Sequence, residues 1–139
     1  PEDINALARQ TRESVIFCPD ADAAALMQNA IQHAKQQGDS LGGVVAFITN
    51  ELPVGLGDPI YEKIEAMLAK AMMSLPASKG FEIGEGFQAA TLRGSQHNDS
   101  FTNKQNIIKT HTNHAGGLLA GITNGMPLYG AVAFKPTAS

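Results

Sequence analysis

Two observations predict a mixed α/β or α+β fold. Two stretches, Ala23 to Ala34 and Ile60 to Met72, carry apolar residues at helical spacing. Four short runs, Ser14–Cys18, Leu41–Thr49, Lys79–Phe87 and Leu128–Phe134, read as strands bounded by proline, glycine or polar clusters. Two strand–helix–strand passages followed by strands and loops give that class. A length of 139 residues fits one domain, and neither an internal repeat nor a low-complexity tract interrupts it.

Taken in order, residues 1–13 are polar and weakly patterned, and read as a frayed end or connector. Ser14-Val-Ile-Phe-Cys18 reads as a short buried strand stopped by Pro19, which has no backbone donor. Asp20 or Asp22 then caps a helix whose stripe is Ala23, Leu26, Met27, Ala30, Ile31 and Ala34. Gly38 ends it by accepting a left-handed conformation. Leu41–Thr49 is apolar on both faces, so a sandwiched strand is expected. Residues 50–57 form a glycine-bearing loop. Asp58-Pro59 predicts the next helix start, a capping carboxylate followed by proline at the first helical position. Its stripe is Ile60, Tyr61, Ile64, Met67, Leu68, Ala71 and Met72, with Glu62, Lys63, Glu65 and Lys70 opposite, and Pro76 terminates it. Beyond the strand Lys79–Phe87, the polar stretch Gly94 to Lys109 suggests a long surface loop. Leu128–Phe134 is the last strand.

Composition narrows the function classes. Ten Lys+Arg against thirteen Asp+Glu give a net charge of −3, which argues against general nucleic-acid binding. Cys18 alone makes neither an internal disulfide nor a thiolate metal cluster, which suits a reducing compartment. The longest apolar run, Val44 to Ile48, is strand-sized and too short to span a bilayer. The first ten residues, with Glu2, Asp3 and Arg9, lack the apolar core of a secretory signal.

Candidate chemistry concentrates in the second half. Gly55-Leu-Gly57 and Gly84-Glu-Gly86 lack the third glycine of a dinucleotide fingerprint, and 115–123 has no Walker lysine. His111 and His114 have metal-pair spacing, yet no Cys, Asp or Glu lies near enough in sequence to complete a site, so a loop is the plainer reading. Arg93-Gly-Ser-Gln-His97-Asn-Asp99 gathers a cation, an imidazole, a carboxylate and amides. It reads equally as an anion site or a self-hydrogen-bonded turn. Gly116, Gly117, Gly121 and Gly125 allow close backbone approach to a ligand, or simple turns. Lys135-Pro-Thr-Ala-Ser139 offers an ammonium and two hydroxyls, a phosphate clamp or a plain strand end.

Read together, these segments resemble one family. The matching stretches are Phe17–Asp20, Gly38–Val45, Leu52–Pro59, Met73–Gly84, Leu92–Asp99, Asn113–Gly117, Gly121–Pro127 and Ala133–Thr137. Their order and spacing are those of chorismate synthase from about Val15 to Ser139. The resemblance implies an α+β fold with helices packed against largely antiparallel sheets, a partial β-α-β sandwich, as one partial domain over residues 1–139. It also implies reduced FMN as cofactor and a 1,4-anti-elimination of phosphate from 5-enolpyruvylshikimate 3-phosphate to give chorismate. A cytoplasmic homotetramer in the shikimate pathway is the expected setting.

The family's flavin contacts carry over to Pro76-Ala77, where many members have Asn in place of Pro76. They carry over also to Ala120, where the family has glycine, and to Lys135, Pro136, Thr137, Ala138 and Ser139. Arg93 and Asn113 are suited to neighbour them by chemistry alone. None of His33, His97, His111 or His114 matches a catalytic histidine, so no catalytic residue and no metal ligand is expected here. The chain begins at Pro1 without methionine and ends within its own cofactor run, which reads as a cut. The alternative is a catalytically incompetent binding or assembly module on the same scaffold.

Overall fold

The computed structural model describes residues 3–104 and 106–138. The chain forms two compact units: one runs to Gly43 and includes the segment from Lys135, the other is Val44–Phe134. Among the described residues, no helix is long and apolar enough to cross a membrane.

The first unit holds two helices, α1 (Ile4–Glu13) and α2 (Ala21–Gln36). The expectation of a frayed connector over 1–13 is corrected by a capping bond pattern. Asp3 Oδ1 accepts from the backbone N–H groups of Asn5 and Ala6, at 2.9 and 3.0 Å, and α1 follows. The strand expected at Ser14–Cys18 is a turn instead. Ser14 supplies its carbonyl to Phe17 N–H and its hydroxyl to Cys18 N–H, and Phe17 takes a φ of +56°. A local polar side chain has outcompeted the extended ladder. Asp20 caps α2 as expected, accepting from Ala23 N–H. Gly38, at φ +69°, ends it: its N–H donates to Lys35 and that of Asp39 to Ala34, the paired bonds of a Schellman motif.

The second unit carries β1 (Gly43–Glu51), α3 (Ile64–Met73), β2 (Ser78–Ile83), a 3-10 turn (Gly86–Thr91) and the one-turn helix α4 (Gly94–His97). Two hairpins follow, β3 (Phe101–Lys104) with β4 (Ile107–Thr110), and β5 (Leu118–Leu119) with β6 (Ile122–Thr123). The last strand, β7 (Pro127–Phe134), is central in a three-stranded sheet of order β1-β7-β2 and pairs antiparallel with β2. Pro127 is its first residue, the one place in a central strand where a missing N–H does little harm. Leu128 and Val132 face the core, Phe47 stacks on Phe81 with ring centroids 6.4 Å apart, and α3 packs on β2. This is an α+β arrangement with antiparallel pairing, as the sequence predicts.

Three local expectations fail for physical reasons. The helix predicted from Asp58-Pro59 starts at Ile64, because Ile60 adopts a φ of +69° that no helix accommodates. The surface loop predicted over Gly94–Lys109 contains α4 and the β3–β4 pairing. Its strands escape a pattern reading because their apolar residues, Phe101, Ile107 and Ile108, are exposed rather than alternating against a core. The strand expected to be sandwiched, now β1, leaves Val44 69% and Val45 58% exposed among the described residues.

Candidate cofactor site

Pro76 and Ala77 form the turn between α3 and β2. Helix α3 closes with Ser74 and Leu75 N–H groups donating back to Lys70 and Met72, and Ala77 takes a φ of +66°. Ser78, buried, ties the turn down by donating its hydroxyl to Leu75 O at 2.8 Å and pairs with Phe134 across the sheet. The turn therefore enters the sheet at the pair where β7 leaves it. Pro76 is exposed, and Ala77 partly so.

Ala120 and Gly121 are the two central residues of the β5–β6 hairpin, with φ of +52° and +87°. Two positive φ values are what a right-twisted two-residue hairpin of the primed type demands. Gly121 O accepts from Ile64 N–H at 3.0 Å, so this hairpin supplies the acceptor that α3 lacks at its own N-terminus. The Lys63 stem lies across Gly121 so closely that a methyl there would collide with it. The Lys63 ammonium stands 3.6 Å from Glu65 Oε1. Lys63 had the appearance in sequence of a solvated outer-face charge; only the long-range meeting of α3 with the hairpin shows otherwise.

Lys135, Pro136, Thr137 and Ala138 follow β7 as an exposed segment without regular structure. Thr137 O accepts from the Ser40 hydroxyl at 2.7 Å, which fixes the backbone and leaves the Thr137 side chain at the surface. Lys135 makes no ion pair among the described residues. Ser139 lies outside the described residues. By chemistry, the Lys135 ammonium, without an ion-pair partner among the described residues, and the exposed Thr137 hydroxyl suit an anionic ligand such as a flavin phosphate. The residues present fit the group.

Asp99 has a different job. Its side chain is 1% exposed. Oδ1 accepts from the Thr112 hydroxyl at 2.7 Å and from His114 N–H at 2.8 Å, and Oδ2 accepts from Ala115 N–H at 2.9 Å. His114 Nδ1 is 3.1 Å from Oδ1, and the His97 ring lies 5.9 Å from that of His114. Burial opposes ionisation of Asp99, but the Ala115, Thr112 and His114 hydrogen bonds and the His114 charge together hold its carboxyl below the ordinary range. Tyr129 nearby is pushed up, first by burial, then by the charges of Glu85 and Asp99 and a hydrogen bond to Glu85. Of the two readings of the 93–99 stretch, the self-hydrogen-bonded one describes Asp99. Arg93 N–H is taken by Gln96 Oε1 at 2.9 Å.

Asn113 is likewise committed internally, donating to Pro127 O and accepting from Gly117 N–H, both at 2.7 Å. Thr123, 2% exposed, accepts from Leu56 N–H and donates to Pro53 O, pinning the 53–56 loop. Sequence offered no sign of that clamp beyond a hydroxyl in a glycine-rich run. Among the described residues, no group of three or more His, Cys, Asp or Glu is placed to hold a metal.

Comparison with known proteins places this geometry in a family. Residues 2–139 match the family model described as chorismate synthase. The chorismate synthase of Protochlamydia amoebophila is 52% identical over 134 residues, covering 96% of this chain and 36% of that protein. That of Methylacidiphilum infernorum is 49% identical over 138 residues, covering 99% and 38%. A crystal structure of chorismate synthase superposes with a TM-score of 0.90 at 37% identity, covering 98% of this chain and 42% of that one. The chain thus spans well under half the length of the relatives it matches, and it belongs to the chorismate synthase family.

Proposed function

We propose that the full-length protein converts 5-enolpyruvylshikimate 3-phosphate to chorismate, with reduced FMN, and that residues 1–139 carry part of the flavin site. In this 1,4-anti-elimination a C–H and a C–O bond break, a C=C bond forms, and a proton and phosphate leave. Reduced flavin, when bound, supplies electron density to a reaction without net redox change.

This chain's part is binding and orientation. Lys135 offers a cation and Thr137 a hydroxyl to the anionic ligand, and Pro76, Ala77, Ala120, Pro136, Ala138 and Ser139 are the other positions to which the family's flavin contacts carry over. The observation that carries the reading is the exposed Lys135, without an ion-pair partner among the described residues, two positions from a Thr137 backbone anchored by Ser40. No group here is assigned to proton transfer, so residues 1–139 alone turn over no substrate and hold FMN weakly. A homotetramer agrees with the many large apolar side chains that stand exposed. A cytoplasmic location agrees with a single cysteine.

Anaerobic assay with reduced FMN tests this directly: the full-length protein forms chorismate and residues 1–139 do not. Lys135→Met in the full-length protein raises the FMN Kd about 10-fold or more, the worth of one charge-assisted hydrogen bond. Unchanged FMN affinity in that variant would sink the flavin-site assignment.

A further inference from the structure

We infer that the cavity between α3, β2 and the 3-10 turn docks an apolar segment of the longer protein, one that lies outside residues 1–139. That segment carries a lysine or arginine whose cation seats on Glu65. The flavin reading plays no part in this. The cavity, of about 540 Å³, is lined by Ala66 and Ala69 of α3, by Phe81 and Glu82 of β2 and by Phe87 of the turn, with Lys63 and Glu65 beside them. Alanines three apart lie on one helix face and leave room there that larger side chains would fill. Phe87 is 81% exposed, yet its backbone is fixed. Its N–H donates to Glu82 Oε2 at 3.2 Å, and Gly86, at φ +51°, lies so close to the Glu82 side chain that a methyl there would collide. A smaller cavity of about 160 Å³ shares Phe81, Glu82 and Phe87 and continues to Ala131, Ala133 and Val44. The two form an apolar strip from α3 across the sheet to β1, which suits a length of polypeptide better than a compact ligand.

Charge sets the chemistry of the occupant. Two carboxylates and one ammonium leave the larger cavity with an excess negative charge. Glu65 is poorly satisfied. Its Oε2 is out of solvent with no hydrogen-bond partner among the described residues. Its Oε1 has the Lys63 ammonium at 3.6 Å, beyond hydrogen-bond length. A carboxylate oxygen withdrawn from water without a donor is costly, and an ammonium or guanidinium removes that cost. Rotation about the broad terminal torsion exchanges the two oxygens, so either can meet it.

Two facts favour the remaining part of the longer protein over a second copy of residues 1–139. The chain covers only 36% and 38% of two relatives, so most of the longer protein is available to fill the strip. Residues 1–139 carry ten basic against thirteen acidic side chains, so a second copy brings net negative charge to a negative site. A segment of the same polypeptide also arrives at high effective concentration.

In the full-length protein, p-benzoylphenylalanine in place of Phe87 is irradiated and the linked peptides are identified by mass spectrometry. A link within one polypeptide, to a segment outside residues 1–139, is the expected result. Phe87 is exposed, so this replacement spares the core. Glu65→Gln then tests the cation. It speeds amide exchange at Phe87 and Gln88 about 10-fold, the worth of one charge-assisted hydrogen bond, with β7 unaffected, and Glu65→Asp stays closer to wild type. A link to a second subunit, a link confined to residues 1–139 or no link at all overturns the docking. Unchanged exchange in Glu65→Gln overturns the pairing of a cation with Glu65. No flavin enters either measurement, so neither failure touches the flavin site.

Discussion

At the scale of single residues, the loop 112–115 depends on one buried carboxylate. Asp99 takes three hydrogen bonds from that loop, two of them from part-buried backbone N–H groups. Asp99→Asn turns an acceptor face into one carrying donors, so roughly 2–3 kcal/mol of stability is lost at neutral pH. Amide exchange at His114 and Ala115 reads the effect locally; wild-type rates there would refute the clamp. The pH dependence has a definite sign. The carboxyl sits below its ordinary value of 3.8, so its contribution is complete above that value and disappears as pH falls through the lower folded one. The Asn variant lacks this acid limb. A second residue carries strain: Ala120, at φ +52°, bears a Cβ in the left-handed region that favours glycine. Ala120→Gly relieves a left-handed penalty of about 1 kcal/mol, offset in part by the freer unfolded chain. A thermal midpoint at or slightly above wild type is expected, and a lower one would mean that the methyl makes contacts of its own.

At the scale of elements, stability of the 53–57 loop rides on Thr123. Thr123→Val keeps the shape but leaves Leu56 N–H and Pro53 O unpaired, a loss of about 1–3 kcal/mol. Faster exchange at Gly55 and Leu56 with β7 unaffected is the expected pattern; no change at Leu56 would count against the clamp. The same elements show what a sequence can display. Helix α2 was legible because its signals are local: Asp20 caps it, and Gly38 has nothing to lose at positive φ. Strand β7 was legible because Leu128 and Val132 recur with a strand's period on a buried face. The start of α3 was not, because its first N–H is satisfied by Gly121, nearly sixty positions away in the chain. Strands β3 and β4 were hidden because their apolar residues Phe101, Ile107 and Ile108 are exposed while the buried position is the polar Thr110, so hydrophobicity leaves no alternation to read. The candidate site divides likewise. Residues 76–77, 120 and 135–139 stood out through their resemblance to family motifs, whereas the internal hydrogen bonding that commits Asp99 and Asn113 needed the fold.

At the scale of the whole molecule, the balance of buried and exposed apolar surface is unusual for a chain with 43% hydrophobic residues. Among the described residues the buried apolar side chains are Ala24, Ala34, Leu118, Leu128 and Val132, and two of these five are alanines. Meanwhile Val15, Phe17, Leu26, Val44, Ile60, Tyr61, Phe87 and Ile108 all stand largely in solvent. Each fully exposed side chain of this size forgoes roughly 1.5–3 kcal/mol that burial would return. Contiguous apolar patches on soluble proteins mark surfaces that meet other protein. Residues 1–139 on their own are therefore expected to be marginally stable and adhesive. Sedimentation should show association that grows with concentration. The dye 8-anilinonaphthalene-1-sulfonate should fluoresce more strongly, per unit mass, with residues 1–139 than with the full-length protein. Adding the remaining part of the longer protein in trans should quench that signal if it covers the same faces. A monomeric, dye-silent 1–139 with a sharp two-state melt would show instead that these side chains are tolerated in water, and the case for covering surfaces would fail.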